Sequence, residues 1–200
     1  MTQRVFIVAT HNRHKMDEFK KIFPDDVQLL SLDDLSWKDE IPETGSTLYE
    51  NSEIKCRTVY QKYRQVVIAE DTGLEVDILD GAPGVYTARF AGPQASSLQN
   101  IEKLLTLMKG CQNRTARFRT VISLIENDHL NFFEGVCHGR IAIHPSGEAG
   151  FGYDPIFIPD PYITTFAEMS EEDKNNVSHR AKAVRNLMSY FKKNSDEFSI

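Results

Sequence analysis

The stretch Val66-Val67-Ile68-Ala69-Glu70-Asp71-Thr72-Gly73-Leu74 decides how this chain is read, because a β-branched apolar run passes directly into two adjacent carboxylates and a glycine. Short apolar runs of this kind are buried strands, so Glu70 and Asp71 are expected where the strand leaves the core. A carboxylate pair at a strand end can ligate Mg2+ through oxygen, and one member can take a proton from water. The same dipeptide also suits a solvated turn or a helix cap, and the rest of the chain has to separate these readings.

Just upstream, Thr47-Leu48-Tyr49-Glu50 has the spacing of a capping box, and Leu48, Ser52, Cys56, Val59 and Tyr63 follow one helical face. A helix therefore leads into the strand. Nearer the start, Val5-Phe6-Ile7-Val8-Ala9 reads as a buried first strand, after which Met16, Phe19, Ile22 and Phe23 recur at helical spacing until Pro24. Between them, Thr10-His11-Asn12-Arg13-His14-Lys15 is rich in donors and opens a helix, where unpaired N–H groups and the helix dipole favour an anion. On the plainer reading Asn12 is an N-cap and Lys15 a solvated helix residue.

Downstream, Gly81-Ala82-Pro83-Gly84 is a loop, and Leu98, Ile101, Leu104, Leu105 and Met108 mark a third amphipathic helix that stops near Gly110. From Arg114 to Ile143, Ala116, Phe118, Ile122 and Leu124 share one parity and Asn127-Asp128 offers a turn, the pattern of a long antiparallel hairpin. Ser178 is placed to cap a final helix whose Ala181, Val184, Leu187, Met188 and Phe191 share a face. Strand and helix thus alternate early and a meander follows. This predicts an α/β fold with a mixed β-sheet flanked by helices, one domain over residues 1–200 whose two lobes share the sheet and leave a cleft.

A chain of 200 residues with 40% hydrophobic and 26% charged residues can bury a core, and its net charge of −6 argues against a general nucleic-acid binder. A polyanionic ligand would have to be met by a local cationic cluster or a metal. Cys56, Cys111 and Cys137 are far apart and lack C-x-x-C spacing, so neither a disulfide framework nor a zinc site is indicated. The run Val5 to Ala9 is too short for a signal segment, no stretch approaches a membrane span, and a cytoplasmic location is the expectation.

Four segments stand in order: Thr10 to Lys15; Glu70 to Leu74 with Gly81 to Arg89; Gly150-Phe151-Gly152-Tyr153-Asp154-Pro155; and Ser178-His179-Arg180. Together they closely resemble the inosine triphosphate pyrophosphatase family, over nearly the whole chain from Val5 to about Leu187. The resemblance implies a Mg2+-dependent hydrolase that cleaves inosine, deoxyinosine and xanthosine triphosphates (ITP, dITP, XTP) to the monophosphate and pyrophosphate. Such an enzyme removes deaminated purines before polymerases use them. It also implies an elongated mixed α/β fold, a nucleotide cleft between two lobes and a homodimer, while the net charge and the lack of a spanning stretch give the expectation of no nucleic-acid or membrane partner.

Carried over position by position, Thr10, His11, Asn12, Arg13, His14 and Lys15 match the family's phosphate-contacting loop, with Lys15 also stabilising the charge of the reaction. Asp71 matches the proposed base and metal ligand, Thr72 the residue beside the substrate, and Glu43 the second metal carboxylate, with Glu70 and Glu50 as rival ligands. Phe151, Gly152, Tyr153 and Asp154 match the base-binding loop, where Phe151 could stack on a purine and Gly152 allow close approach. Lys174, His179 and Arg180 match the remaining purine-contacting positions. Donors there suit the C6 carbonyl of hypoxanthine and xanthine and reject the amino group of adenine.

The chain departs from the family at His11, where glycine is common, and at Ala149, where another glycine is frequent. A side chain at His11 puts the detailed geometry of the phosphate loop in question. Two other functions remain open on the sequence: a nucleotide-binding sensor without turnover, and a Maf-type pyrophosphatase acting on other nucleotides. The Phe151 to Asp154 and Ser178 to Arg180 motifs speak against the second.

Overall fold

The computed structural model of the chain describes residues 4–197. Its strands are β1 (Arg4–Val8), β2 (Val27–Ser31), β3 (Val67–Val76), β4 (Pro83–Gly84), β5 (Thr115–Glu126), β6 (His129–Ile141) and β7 (Phe157–Pro159). The helices are α1 (Arg13–Ile22), α2 (Leu48–Tyr63), α3 (Ser97–Leu107), α4 (Glu171–Val177) and α5 (His179–Glu197). The strands pair in the order β2-β1-β3-β5-β6-β7, with β4 also on β3. β1 runs parallel to β2 and to β3, whereas β4 on β3 and β7 on β6 are antiparallel, so the sheet is mixed as the sequence predicts.

The chain forms two compact units. One takes the described residues up to Asp71, Thr120–Gly135 and the chain from Ala183; the other takes Thr72–Arg119 and Val136–Lys182.

In the first unit β1 and β3 are covered on both faces, which is why they read as unbroken apolar runs. Phe6, Val8 and Ile68 pack with Met16 and Phe19 of α1 and with Val184, Leu187 and Phe191 of α5. Ile7, Ala9, Val67 and Ala69 have the opposite parity and pack with Cys56, Val59 and Tyr60 of α2. Each fully buried aliphatic or aromatic side chain contributes about 2 kcal/mol. Strand parity thus assigns α1 and α5 to one face and α2 to the other, and this decides where the two carboxylates go.

The second unit has its own core, in which Leu74 and Val76 of β3 meet Ile101, Leu104 and Met108 of α3, and Phe118 meets Phe157 and Phe166. The hairpin turn falls at Asn127 and Asp128 as expected, both with positive φ (50° and 64°), the conformation of a type I′ turn. Ser178 caps α5 by accepting from Ala181 N–H at 3.2 Å.

Two expectations need correcting. β3 does not end at Ala69 but continues to Val76, so Glu70 and Asp71 sit within a strand, both buried, rather than at its exit. The apolar pattern resumes at Leu74 and Val76, and a strand can carry buried acids where each has a cationic partner. In α3, Leu98 is 62% exposed and does not belong to the packed face, which Asn100, Ile101 and Leu104 form.

Candidate active site

Consecutive residues of a strand point to opposite faces, and Glu70 and Asp71 follow this rule. Glu70 shares parity with Ile68 and meets α1: its carboxylate lies 3.1 Å from Lys15 Nζ. Asp71 shares parity with Val67 and Ala69 and meets α2: Lys55 Nζ donates to Asp71 Oδ1 at 2.9 Å and to Glu43 Oε1 at 2.8 Å. Asn51, one turn before Lys55, donates from Nδ2 to Asp71 Oδ2 at 3.3 Å.

Glu43 reaches this point because its loop is tied to α2. Gly45 N–H donates to Asn51 Oδ1 at 2.8 Å, and a β-carbon at residue 45 would come within 2.5 Å of Glu50 Cβ. Only glycine lets the loop lie this close to the helix. Glu50 itself completes the capping box with Thr47 and accepts from Ser46 Oγ at 2.7 Å and Ser46 N at 2.6 Å. The Ser46 hydroxyl, then the Ser46 and Thr47 N–H groups, hold its carboxyl below the usual range.

Electrostatics within the cluster follow from burial. Burial pushes the Asp71 carboxyl up; Lys55 opposes this, Glu43 adds to it, and the net direction is upward. For Lys55, burial pulls the ammonium down, but the charges of Asp71 and Glu43 outweigh it and hold the group above its ordinary value. One buried cation therefore serves two carboxylates, and the more deeply placed of them holds a proton more readily than an ordinary aspartate.

Glu43 and Asp71 are hard oxygen donors at one point. Mg2+ is commonly held by one or two carboxylates together with substrate phosphates and water. The donor set fits a Mg2+ that arrives with a polyphosphate rather than an all-protein cage, and no group of three metal-ligating His, Cys, Asp or Glu side chains is found among the described residues.

The donor-rich loop opens α1 as the sequence predicts. Asn12 caps the helix, its Oδ1 accepting from Lys15 N at 3.1 Å, while Thr10 Oγ1 accepts from Asn12 N at 3.1 Å. His11, Asn12, Arg13 and His14 are exposed and Lys15 is half-buried. His11 is held from the side, its Nδ1 2.6 Å from Asp33 Oδ1.

The predicted base-binding residues gather in the second unit. Asp154, buried, accepts on Oδ2 from Phe151 N–H at 2.8 Å and from Lys174 Nζ at 2.9 Å. Lys174 Nζ and Arg180 Cζ each lie 5.7 Å from the centroid of the Phe151 ring. His179 stacks on Phe118 at 4.6 Å and 15°, and both His179 and Arg180 are buried. Tyr153 donates its hydroxyl to Thr87 O at 3.0 Å, tying this loop to the long middle motif, and burial pushes its phenol up. Gly150 has φ of +78°, and a β-carbon there would overlap Asp154 Oδ2. Gly152 (φ +62°) faces open space. Thr72 is half-buried within β3.

Sequence reasoning missed Lys55, Asn51 and Asp33. Asn51 and Lys55 stand four residues apart beside the stripe of Ser52 and Cys56, and polar side chains so close to a buried stripe were the available signal. Asp33 lies in a polar turn with nothing to distinguish it from its neighbour Asp34.

A model of the Ham1 family matches residues 6–190. The chain is 47% identical to the dITP/XTP pyrophosphatase of Christiangramia forsetii over 187 residues, covering 94% of this chain and 98% of that one. It is 45% identical to the dITP/XTP pyrophosphatase of Bacillus subtilis, covering 90% and 93%. Among solved structures, the Ham1 protein of Staphylococcus aureus superposes with a TM-score of 0.87 at 38% identity, over 96% of this chain and 100% of that one. A Ham1 protein from Coxiella burnetii gives a TM-score of 0.87 at 34% identity, over 95% and 99%. The likeness to nucleoside triphosphate pyrophosphatases read from four motifs extends over the fold and nearly the full length, and the chain belongs to the Ham1 family.

Proposed function

We propose that this protein hydrolyses deaminated purine nucleoside triphosphates, ITP, dITP and XTP, to the monophosphate and pyrophosphate. The observation that carries the chemistry is the buried Lys55 ammonium shared by Asp71 and Glu43; the substrate class follows the names of its relatives. Asp71 takes a proton from the attacking water, whose oxygen bonds to the α-phosphorus as the bond to the bridging oxygen breaks and pyrophosphate leaves. Its raised proton affinity makes it a stronger base than an ordinary carboxylate. Lys55 orients Asp71, and Lys15 faces the charge that gathers on the departing pyrophosphate. Mg2+, held by Glu43 and Asp71, would neutralise phosphate charge.

Phe151 offers a stacking face for the purine, and Lys174, His179 and Arg180 supply donors to its oxygens. Mg2+ dependence and a homodimer belong to the same reading and rest on the family resemblance, whereas a cytoplasmic location rests on the sequence expectation alone. No helix among the described residues is long and apolar enough to cross a membrane. The test is a panel of nucleoside triphosphates with and without Mg2+, pyrophosphate and orthophosphate being measured separately. Pyrophosphate from ITP and XTP, with ATP turned over at least about 100-fold more slowly, is expected. Orthophosphate release, or equal use of ATP, would overturn it.

A further inference from the structure

The exit of β1 and the exit of β2 are laced together twice. Leu32 N–H donates to Thr10 O at 3.3 Å, and one residue further along each segment His11 Nδ1 meets Asp33 Oδ1 at 2.6 Å. At that distance from a carboxylate, Nδ1 carries the proton and donates. Asp33 is itself held by a tight turn: Asp34 Oδ2 accepts from Ser31 N at 2.8 Å and Ser31 Oγ at 2.7 Å, and Ser36 N–H donates to Asp33 O at 3.0 Å. Leu32, beside it, is fully buried and anchors the turn in the core of the first unit. The His11 ring thus leans on a rigid support although it belongs to an exposed loop.

The two side chains keep 38% and 59% of their surface exposed. Ion pairs so exposed add little to stability. A short, oriented bond that contributes little to folding, placed beside the N-cap Asn12 and four residues before Lys15, has a positional use. We propose that Asp33 is a positioning residue for the substrate: by engaging Nδ1 it fixes the His11 imidazole so that Nε2, on the far side of the ring, meets an oxygen of the triphosphate. A ring held with Nδ1 on the Asp33 carboxylate and presenting an N–H at Nε2 bridges that carboxylate and a phosphate oxygen. This inference rests on the reading of the loop as a triphosphate site.

The experiment measures KM and kcat for ITP with the wild type, Asp33→Ala, Asp33→Asn, His11→Ala and the Asp33→Ala/His11→Ala double variant, with a urea unfolding curve for each. Asp33→Ala is expected to raise KM about three- to tenfold with kcat within about twofold and the urea midpoint unchanged. Asp33→Asn, whose amide oxygen still accepts from Nδ1–H, is expected to restore KM to within about twofold of the wild type. In the His11→Ala background, Asp33→Ala should add nothing, because its effect passes through the imidazole. A KM unchanged by Asp33→Ala, or effects of the two substitutions that simply multiply, overturns the role of Asp33. A wild type that releases no pyrophosphate from ITP overturns instead the triphosphate reading on which it rests.

Discussion

Lys55 and Asp71 form a buried ion pair, Nζ to Oδ1 at 2.9 Å, with side chains 9% and 8% exposed. Because Lys55 also holds Glu43, removing the ammonium takes the shared cation away from two neighbouring carboxylates. Breaking a buried pair from one side costs about 3 kcal/mol or more. Lys55→Met is therefore expected to destabilise the metal-free protein by that amount in urea unfolding, and millimolar Mg2+ should recover part of the loss by supplying the missing positive charge.

Asp71→Asn removes the proposed base and one of the two carboxylates that Lys55 serves. Loss of the base should lower kcat at least about 100-fold. Burial raises the proton affinity of Asp71 in the fold, so its ionisation opposes folding: the contribution of the neutral acid is fully present below the unfolded-state value, and is lost as pH rises through the raised folded value. The metal-free wild type should accordingly lose stability as pH climbs above the ordinary aspartate value of 3.8, and Asp71→Asn should lack that component. Unfolding curves from acid to neutral pH with a chelator present check this.

Glu43 and Glu50 were rival carboxylates on the sequence, and the structure gives them different work. Glu43 shares the ammonium with Asp71, while Glu50 is consumed by the cap of α2. Glu43→Gln is expected to weaken activation by Mg2+ at least about tenfold, read from the Mg2+ dependence of turnover. Glu50→Gln should lower the melting temperature and leave that dependence unchanged.

Gly150→Ala tests the base loop. A side chain at φ +78° is strained and would displace the Asp154 carboxylate from Phe151 N–H and Lys174. Stability should fall by about 1 kcal/mol or more, and KM for ITP should rise more than kcat falls. Equal loss in both parameters would show that the loop acts elsewhere than in binding the base.

Much of this was legible in the sequence because it rests on local rules. The Thr47 capping box, the Asn12 and Ser178 caps and the Asn127-Asp128 turn follow from spacing and turn chemistry over a few residues. The end of β3 was misread, since two carboxylates after four apolar residues look like an exit unless their cations are known. Those cations, Lys15 and Lys55, lie 55 and 16 positions upstream, and nothing local links them to the strand. Asp33 was invisible for the same reason, as its meaning lies in a partner 22 residues away.

The pairing of Lys15 with Glu70 has a consequence for the entropy of binding. A solvated lysine carries about 2 kcal/mol of rotamer freedom that a ligand must remove. Lys15 is already confined by a carboxylate whose side chain is 1% exposed, so part of that freedom was lost when the chain folded. A polyanion reaching the α1 loop meets an ammonium with few remaining rotamers, and its binding should carry a correspondingly small ordering penalty at this residue.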